Sequence, residues 1–186
     1  MPLPENDFSN LVRDCHRNVM KVAGPSRSRI EEHGMAVILL TSATLSQFVH
    51  RIESINPDSK RKWGTLEPVA MFAHLAWASE ISLEELQSKD VSTMFTRHIL
   101  RRLVFQTPLP WPKGKIKAPL EFTPAPKGSL DDERARLIAA MKRFVEAADR
   151  EPGRKTLHPF FGPFTLKYWQ LSHGKHFNHH LDQFGV

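Results

Sequence analysis

The residue types best suited to chemistry are histidines in one short run of the chain. Four of the ten histidines fall between Gln170 and Gly185, at positions 173, 176, 179 and 180. If this run is helical, His176 and His180 are one turn apart and project from the same face. Two imidazoles in that relation can bind one metal ion, and such sites commonly hold zinc, nickel, iron or manganese.

The choice of ligand pair is open at this level, because His176 also has His173 and His179 at a spacing of three. His179 and His180 are about 100° apart around a helix and cannot both face one ion. One helix face cannot encircle an ion, so a third ligand must come from another helix. His74 is the candidate, since it lies among apolar neighbours where an unpaired imidazole is costly.

A competing interpretation needs no metal. A single buried histidine is more often a hydrogen-bonded core residue, and a pair of histidines four residues apart arises by chance on many helices. The remaining histidines are less suited to ligation, because they lie in polar or charged contexts or precede a proline: His16, His33, His50, His98 and His158.

Composition narrows the class of protein. The 186 residues are 40% apolar and 25% charged, which is ordinary for one globular domain. The net charge of +6 comes from scattered Lys and Arg with little aromatic interleaving, a pattern that favours solvated loops over nucleic-acid binding. The same positive surplus would also suit a small acidic substrate. The single Cys15 excludes an internal disulfide. No apolar run approaches 18 residues and no signal peptide is visible, so we expect no membrane span and a cytoplasmic location.

Apolar spacing predicts helices over residues 8–23, 35–55, 67–87, 91–105 and 129–148, and a last helix capped by Thr165. Pro68 suits a first helical turn. The segment 106–128 carries six prolines and is expected to be a long extended crossover, serving as a wall or lid over a site. No alternating strand pattern is visible. The sequence therefore predicts an all-α helix bundle with four long helices.

Four ordered motifs resemble the DinB/YfiT-like superfamily of metal-binding four-helix bundles, and within it an uncharacterised bacterial branch. They are the runs Arg61–Leu75, Leu109–Lys115, His158–Phe164 and His176–Gly185. The resemblance covers residues 36–186 and implies a DinB-like bundle domain there. Residues 1–35 match nothing and are expected to be an N-terminal extension.

The resemblance implies that the metal ligands are His74, His176 and His180, one from the second bundle helix and two from the last. His179 would then lie outside the ligand set or at the surface, and His173 would line the cavity above the metal. Superfamily members include metal-dependent transferases that use low-molecular-weight thiols. The expectation is thus an enzyme that uses a divalent metal (Zn, Ni, Fe or Mn) on a small molecule, with a non-catalytic metal-binding or stress-associated bundle as the alternative.

The rest of the active site is less defined by the sequence. Lys113, Lys115 and Lys117 would hold an anionic thiol or substrate, or belong to a solvated loop. Asp182 and Glu80 are the carboxylates that could act as a general base, and both fit equally well as exposed residues or as partners of arginines. A homodimer through outer helix faces is expected, as among similar bundles.

Overall fold

The computed structural model describes residues 38–107, 111, 113 and 122–186. The expected N-terminal extension, with its helix over 8–23, lies outside the described residues, as does most of the crossover. The described part is mainly helical, with elements in the order α1 (Leu45–Glu53), α2 (Pro68–Ser82), a π-helical turn (Thr96–Leu100), α3 (Arg101–Gln106), α4 (Leu130–Arg150), β1 (Lys155–His158), β2 (Gly162–Thr165) and α5 (Leu166–Phe184).

Helix α2 lies at the centre of the core. It is apolar around almost its whole circumference, and Met71, Phe72 and Leu75 are fully buried, as expected for a helix covered on all sides. Pro68 occupies the first turn, where its missing N–H is not needed. The helix ends earlier than predicted, because Glu84 adopts a left-handed conformation at φ 63° just beyond it.

Helix α4 packs along α2 over the most extensive contact between helices in the described part of the chain. It begins at a capping box in which the Ser129 hydroxyl accepts the Asp132 N–H and the Asp132 carboxylate accepts the Ser129 N–H. Acidic residues fill its first turn, where the helix dipole favours negative charge. Leu137, Met141 and Phe144 point into the core and are fully buried.

Helix α5 carries the histidine run and is fixed at both ends. The Thr165 hydroxyl accepts the Tyr168 N–H at 3.1 Å, which confirms the predicted cap. Gly185 ends the helix at φ 79°, a conformation that glycine adopts at little cost. In mid-helix, a Cβ on Gly174 would lie 2.0 Å from the Ile38 carbonyl oxygen. Glycine there lets the 38–40 segment pack directly on the helix, and the Leu40 N–H donates to the Gln170 carbonyl at 3.0 Å.

The expectation of a purely helical chain is wrong at one place. Strands β1 and β2 pair antiparallel, with Thr156 opposite Phe164, and residues 159–161 form the turn between them. Four-residue strands are too short to show an alternating pattern. Hydrogen bonds to neighbouring helices hold β1 in place. The Thr156 hydroxyl donates to the Ser82 carbonyl at 2.9 Å and accepts the Trp169 indole N–H at 2.8 Å.

The predicted helix over 91–105 is a π-helical turn followed by the short α3. Its last carbonyls are held by Lys175 of α5, whose ammonium donates to Val104 and Thr107 at 2.8 Å each. This contact places the start of the crossover beside His176. No helix in the described ranges is both long and apolar enough to cross a membrane.

Candidate metal centre

His74 projects from the middle of α2 and is 5% exposed. Its Nδ1 lies 2.6 Å from the carbonyl oxygen of Phe122, at the end of the crossover. A carbonyl only accepts, so Nδ1 carries the proton and the Nε2 lone pair is free in the neutral ring. Burial lowers the pKa of His74, although the Phe122 carbonyl acts in the opposite direction. The ring is therefore neutral at pH 7.

His180 is held in the same tautomer from its own helix. Its Nδ1 lies 2.7 Å from Oε1 of Gln183, while the Gln183 amide nitrogen faces the Trp63 carbonyl at 3.5 Å. The Trp63 carbonyl thus fixes the amide orientation, and the Gln183 oxygen must accept from His180. Burial and the nearby His74 hold the pKa of His180 well below its ordinary value.

His176 lies between His74 and His180. Its Nε2 lies 2.9 Å from Nε2 of His74 and 3.1 Å from Nε2 of His180. Ligand atoms of all three residues fall within 4.8 Å of one another. Two nitrogens that bind one ion at about 2.0–2.1 Å are roughly 2.9–3.4 Å apart at angles of 90° to 110°. The three predicted histidines are therefore close enough to hold one metal ion.

Hydrogen bonds among the three imidazole rings cannot by themselves account for the convergence of their Nε2 atoms. The Nε2 atoms of His74 and His180 both present lone pairs to His176, and His176 Nε2 can donate one proton to only one of them. Burial, followed by the charges of His74 and His180, holds the pKa of His176 well below its ordinary value, so extra protons are disfavoured. Converging imidazole lone pairs are the donor set that a divalent transition metal binds.

Aromatic side chains surround the three histidines. The Trp111 ring is tilted against His176 at 5.6 Å between centroids, and Trp77 stacks on His74 at 6.5 Å. His179 lies outside the three-ligand group and is half-buried, with its ring 4.6 Å from Trp63 and 5.6 Å from Trp111. Burial and the charge of Lys113 lower the pKa of His179 to about 4. The site is therefore lined largely by rings.

His173 is placed in the core instead of the site. Its Nε2 lies 3.0 Å from the Ser82 hydroxyl, which itself donates to the Ser79 carbonyl at 2.7 Å. The hydroxyl therefore accepts, and Nε2 of His173 carries the proton. His173 is thus a hydrogen-bonded core histidine of the kind that the interpretation without a metal describes for a single buried histidine. Of the other described histidines, His50 and His98 are exposed.

Neither carboxylate considered as a general base belongs to the three-ligand group. Asp182 pairs with Arg51 at 3.0 Å, and Glu80 binds Arg136 through two hydrogen bonds. Of the three crossover lysines, Lys113 is described and exposed, with its ammonium 5.9 Å from the Trp63 ring centroid. Lys115 and Lys117 lie outside the described residues.

Sequence reasoning did not identify the residues that orient the histidines. Gln183 follows His180 by three positions, so helical spacing alone places their side chains on neighbouring turns. Trp63, Trp111 and Phe122 carry no such signal, because they reach the site from distant parts of the chain. Gly64 is required beside Gln183, since it adopts φ 80° and a Cβ there would lie 2.1 Å from the Gln183 amide nitrogen.

We expect that Gln183→Leu weakens metal binding by about 10- to 100-fold, the usual effect of losing a group that orients a ligand. The leucine cannot accept the His180 Nδ1–H, so the ring loses both its tautomer preference and its orientation. Gln183→Glu keeps an acceptor and should retain affinity, and Gln170→Leu on the same helix is the matched control. Competition with a coloured chelator measures the dissociation constants; equal constants for Gln183→Leu and Gln170→Leu would contradict the assignment.

Comparison with known proteins identifies a family whose function is unknown. Residues 38–185 match the family model described as Protein of unknown function (DUF1569). No curated protein and no solved structure matches the chain. The match spans the described helices, the hairpin and all three histidines of the candidate metal centre. The chain therefore belongs to the DUF1569 family of proteins of unknown function.

Proposed function

We propose that this protein is a divalent-metal-dependent enzyme that acts on a small molecule, with thiol transfer as its chemistry. The observation that carries the proposal is the convergence of three Nε2 atoms from α2 and α5. Two of the rings are already held in the ligating tautomer by carbonyl acceptors. Such preorientation lowers the cost of binding an ion.

His74, His176 and His180 would hold the ion, and three protein ligands leave coordination positions for a substrate. A bound divalent ion would lower the pKa of a thiol or water and so make an anion available at neutral pH. Zinc, nickel, iron and manganese are all compatible with three imidazoles, and availability often decides among them.

Among the residues that the structure describes, no carboxylate joins the three histidines, so the proton of the incoming group would pass to solvent or to the substrate. Asp182 and Glu80 are already neutralised by arginines. His179 is the nearest further base, but its pKa of about 4 makes it a weak one at neutral pH. Catalysis would thus rest on binding, orientation and electrostatic stabilisation rather than on a strong protein base.

We also propose that the fold is a DinB-like four-helix bundle, formed by α1, α2, α4 and α5. Its support is the resemblance of the four motifs together with the position of the three histidines, one on α2 and two on α5, as the superfamily pattern requires. A cytoplasmic location and a homodimer through an outer helix face are part of the same proposal. Sedimentation of the purified protein tests the homodimer.

The alternative is a non-catalytic metal-binding bundle in which the ion fastens α2 to α5. It is favoured by the depth of the ligands, since His74 and His180 are 5% and 8% exposed. In that case metal binding would contribute folding free energy and no chemistry. The two functions differ in whether the ion can accept a ligand from outside the protein.

The deciding experiment incubates the metal-loaded protein with a panel of low-molecular-weight thiols and small electrophiles and detects thioether products by mass spectrometry. We expect product with the loaded wild type, and none with the metal-free protein or with His176→Ala treated in the same way. His50→Ala, which changes an exposed histidine, should retain full turnover. A loaded protein that gains thermal stability but forms no product and binds no thiol would favour the structural role.

A further inference from the structure

Trp111 contacts the candidate metal centre from the crossover. Its ring centroid lies 5.6 Å from that of His176, with the planes tilted by 33°, and 5.6 Å from that of His179. On its other side it meets Phe105 edge-on at 6.3 Å. The indole is therefore packed between the end of α3 and a proposed metal-ligand ring, within a few ångströms of where a substrate would bind.

Among the described residues, the indole nitrogen of Trp111 is buried and finds no hydrogen-bond partner. Arg134 and Arg154 also have a buried nitrogen without a partner, but their guanidinium groups make other hydrogen bonds. Trp111 has only this one polar atom, and it can only donate. Leaving such a buried donor unsatisfied is unfavourable. An acceptor supplied by a ligand would remove this cost.

The charge of the site favours an anionic acceptor. Three neutral imidazoles leave the full double charge of a divalent ion uncompensated, and no carboxylate of the described residues joins the group. The ammonium of Lys113 adds a further positive charge near Trp63, whose ring contacts His179. In a poorly solvated site, opposite charge on the ligand is strongly favoured.

We propose that the substrate of this site is a small molecule that carries a carboxylate next to its metal-binding atom, and that Trp111 is the residue that selects it. The carboxylate accepts the Trp111 indole N–H and faces the Lys113 ammonium. The adjacent atom of the same molecule reaches the ion held by His74, His176 and His180. This inference rests on the proposed function, because it requires an ion that accepts an outside ligand.

The test uses the cobalt-loaded protein and two thiols with the same carbon skeleton, 2-mercaptopropionate, whose thiol is on the carbon next to the carboxylate, and its methyl ester. Binding is followed by the sulfur-to-cobalt charge-transfer absorption, which needs no turnover. We expect the wild type to bind the acid at least 10-fold more tightly than the ester. Trp111→Phe keeps an aromatic ring and removes the N–H, so it should weaken binding of the acid by 5- to 10-fold and binding of the ester much less, because the ester carbonyl is only a neutral acceptor. Lys113→Met should act in the same direction, whereas Lys142→Met, which changes an exposed lysine of α4, should not.

The possible outcomes distinguish a failure of the inference about Trp111 from a failure of the proposed metal-dependent function. Equal affinities for acid and ester, or a Trp111→Phe variant that weakens both equally, would overturn the inference and leave the metal-dependent function standing. A protein that binds no stoichiometric cobalt, or a loaded protein whose absorption responds to neither thiol, would overturn the proposed thiol chemistry and the inference with it.

Discussion

We expect that replacing His74, His176 or His180 by alanine abolishes stoichiometric metal binding, the largest functional effect that we predict. The two remaining imidazoles supply too few protein ligands for a stable site. Metal analysis of the purified, metal-saturated variants after gel filtration measures the loss. His50→Ala and His98→Ala, which remove exposed imidazoles, should keep one ion per chain. Full occupancy in the three site variants would contradict the assignment.

Stability provides a second readout that differs between the two states. Without metal, His176 Nε2 can donate to only one of the two lone pairs that it faces, so His176→Leu removes one hydrogen bond and should lower the stability of the metal-free protein by only about 1 kcal/mol. With metal at 1,000 times its dissociation constant, the wild type should gain about 4 kcal/mol, and His176→Leu should gain nothing. Urea unfolding with and without zinc measures both terms. If the three histidines only pack against one another and bind no metal, His176→Leu should lose stability and the wild type should not respond to zinc.

The second large effect that we expect is loss of stability in acid, caused by two histidines that belong to the core. His158 and His173 stack on opposite sides of Trp169, at 4.7 and 5.1 Å between ring centroids. Burial lowers the pKa of His173 to about 3, and burial together with the charge of His173 lowers that of His158 to about 3. In the unfolded chain both return to about 6.5.

The direction follows from which state binds protons. Between pH 6.5 and about 3 the unfolded chain takes up protons on these rings and the folded protein does not, so stability is complete above pH 6.5 and falls as the pH is lowered. From pH 7 to pH 5 the loss is about 2 kcal/mol for each ring, against a typical total of about 5–15 kcal/mol. Urea unfolding of the metal-free protein at the two pH values measures it.

His173→Gln provides the control for this prediction. Glutamine can still donate to the Ser82 hydroxyl but does not titrate, so the variant should be less stable than the wild type at pH 7 and lose about 2 kcal/mol less on acidification to pH 5. His98→Gln, which changes an exposed ring, should show the wild-type dependence. An unchanged pH dependence in His173→Gln would show that the folded protein accepts a proton at this position.

The site illustrates how far local sequence reasoning reaches. The spacing of His176 and His180 placed both on one face of α5, because the helical repeat fixes side-chain direction over four residues. The choice of His74 followed from the cost of an unpaired imidazole among apolar neighbours. The Phe122 carbonyl and the Trp111 ring could not be found this way, since their approach depends on how a proline-rich crossover returns to the helices.

The fold, too, combines features that nearby residues predict with features that depend on distant contacts. Thr165 and the Ser129 capping box mark helix starts that depend only on residues three positions apart, and both were visible in the sequence. The hairpin was not, because Thr156 is held by Ser82 and Trp169, contacts that no pattern within β1 encodes. The early end of α2 likewise reflects the conformation of a single residue, Glu84.

By itself, the sequence indicated the main helices and offered His74, His176 and His180 as candidate ligands, because helical periodicity and the cost of burying polar groups act over short range; the choice among the histidine pairs of α5 came from the family resemblance. Only the tertiary structure decided which ring nitrogens face each other, which histidine stays in the core and which carboxylates are already paired with arginines. Those outcomes depend on distances between residues far apart in the chain, and these distances are set by packing of the whole domain.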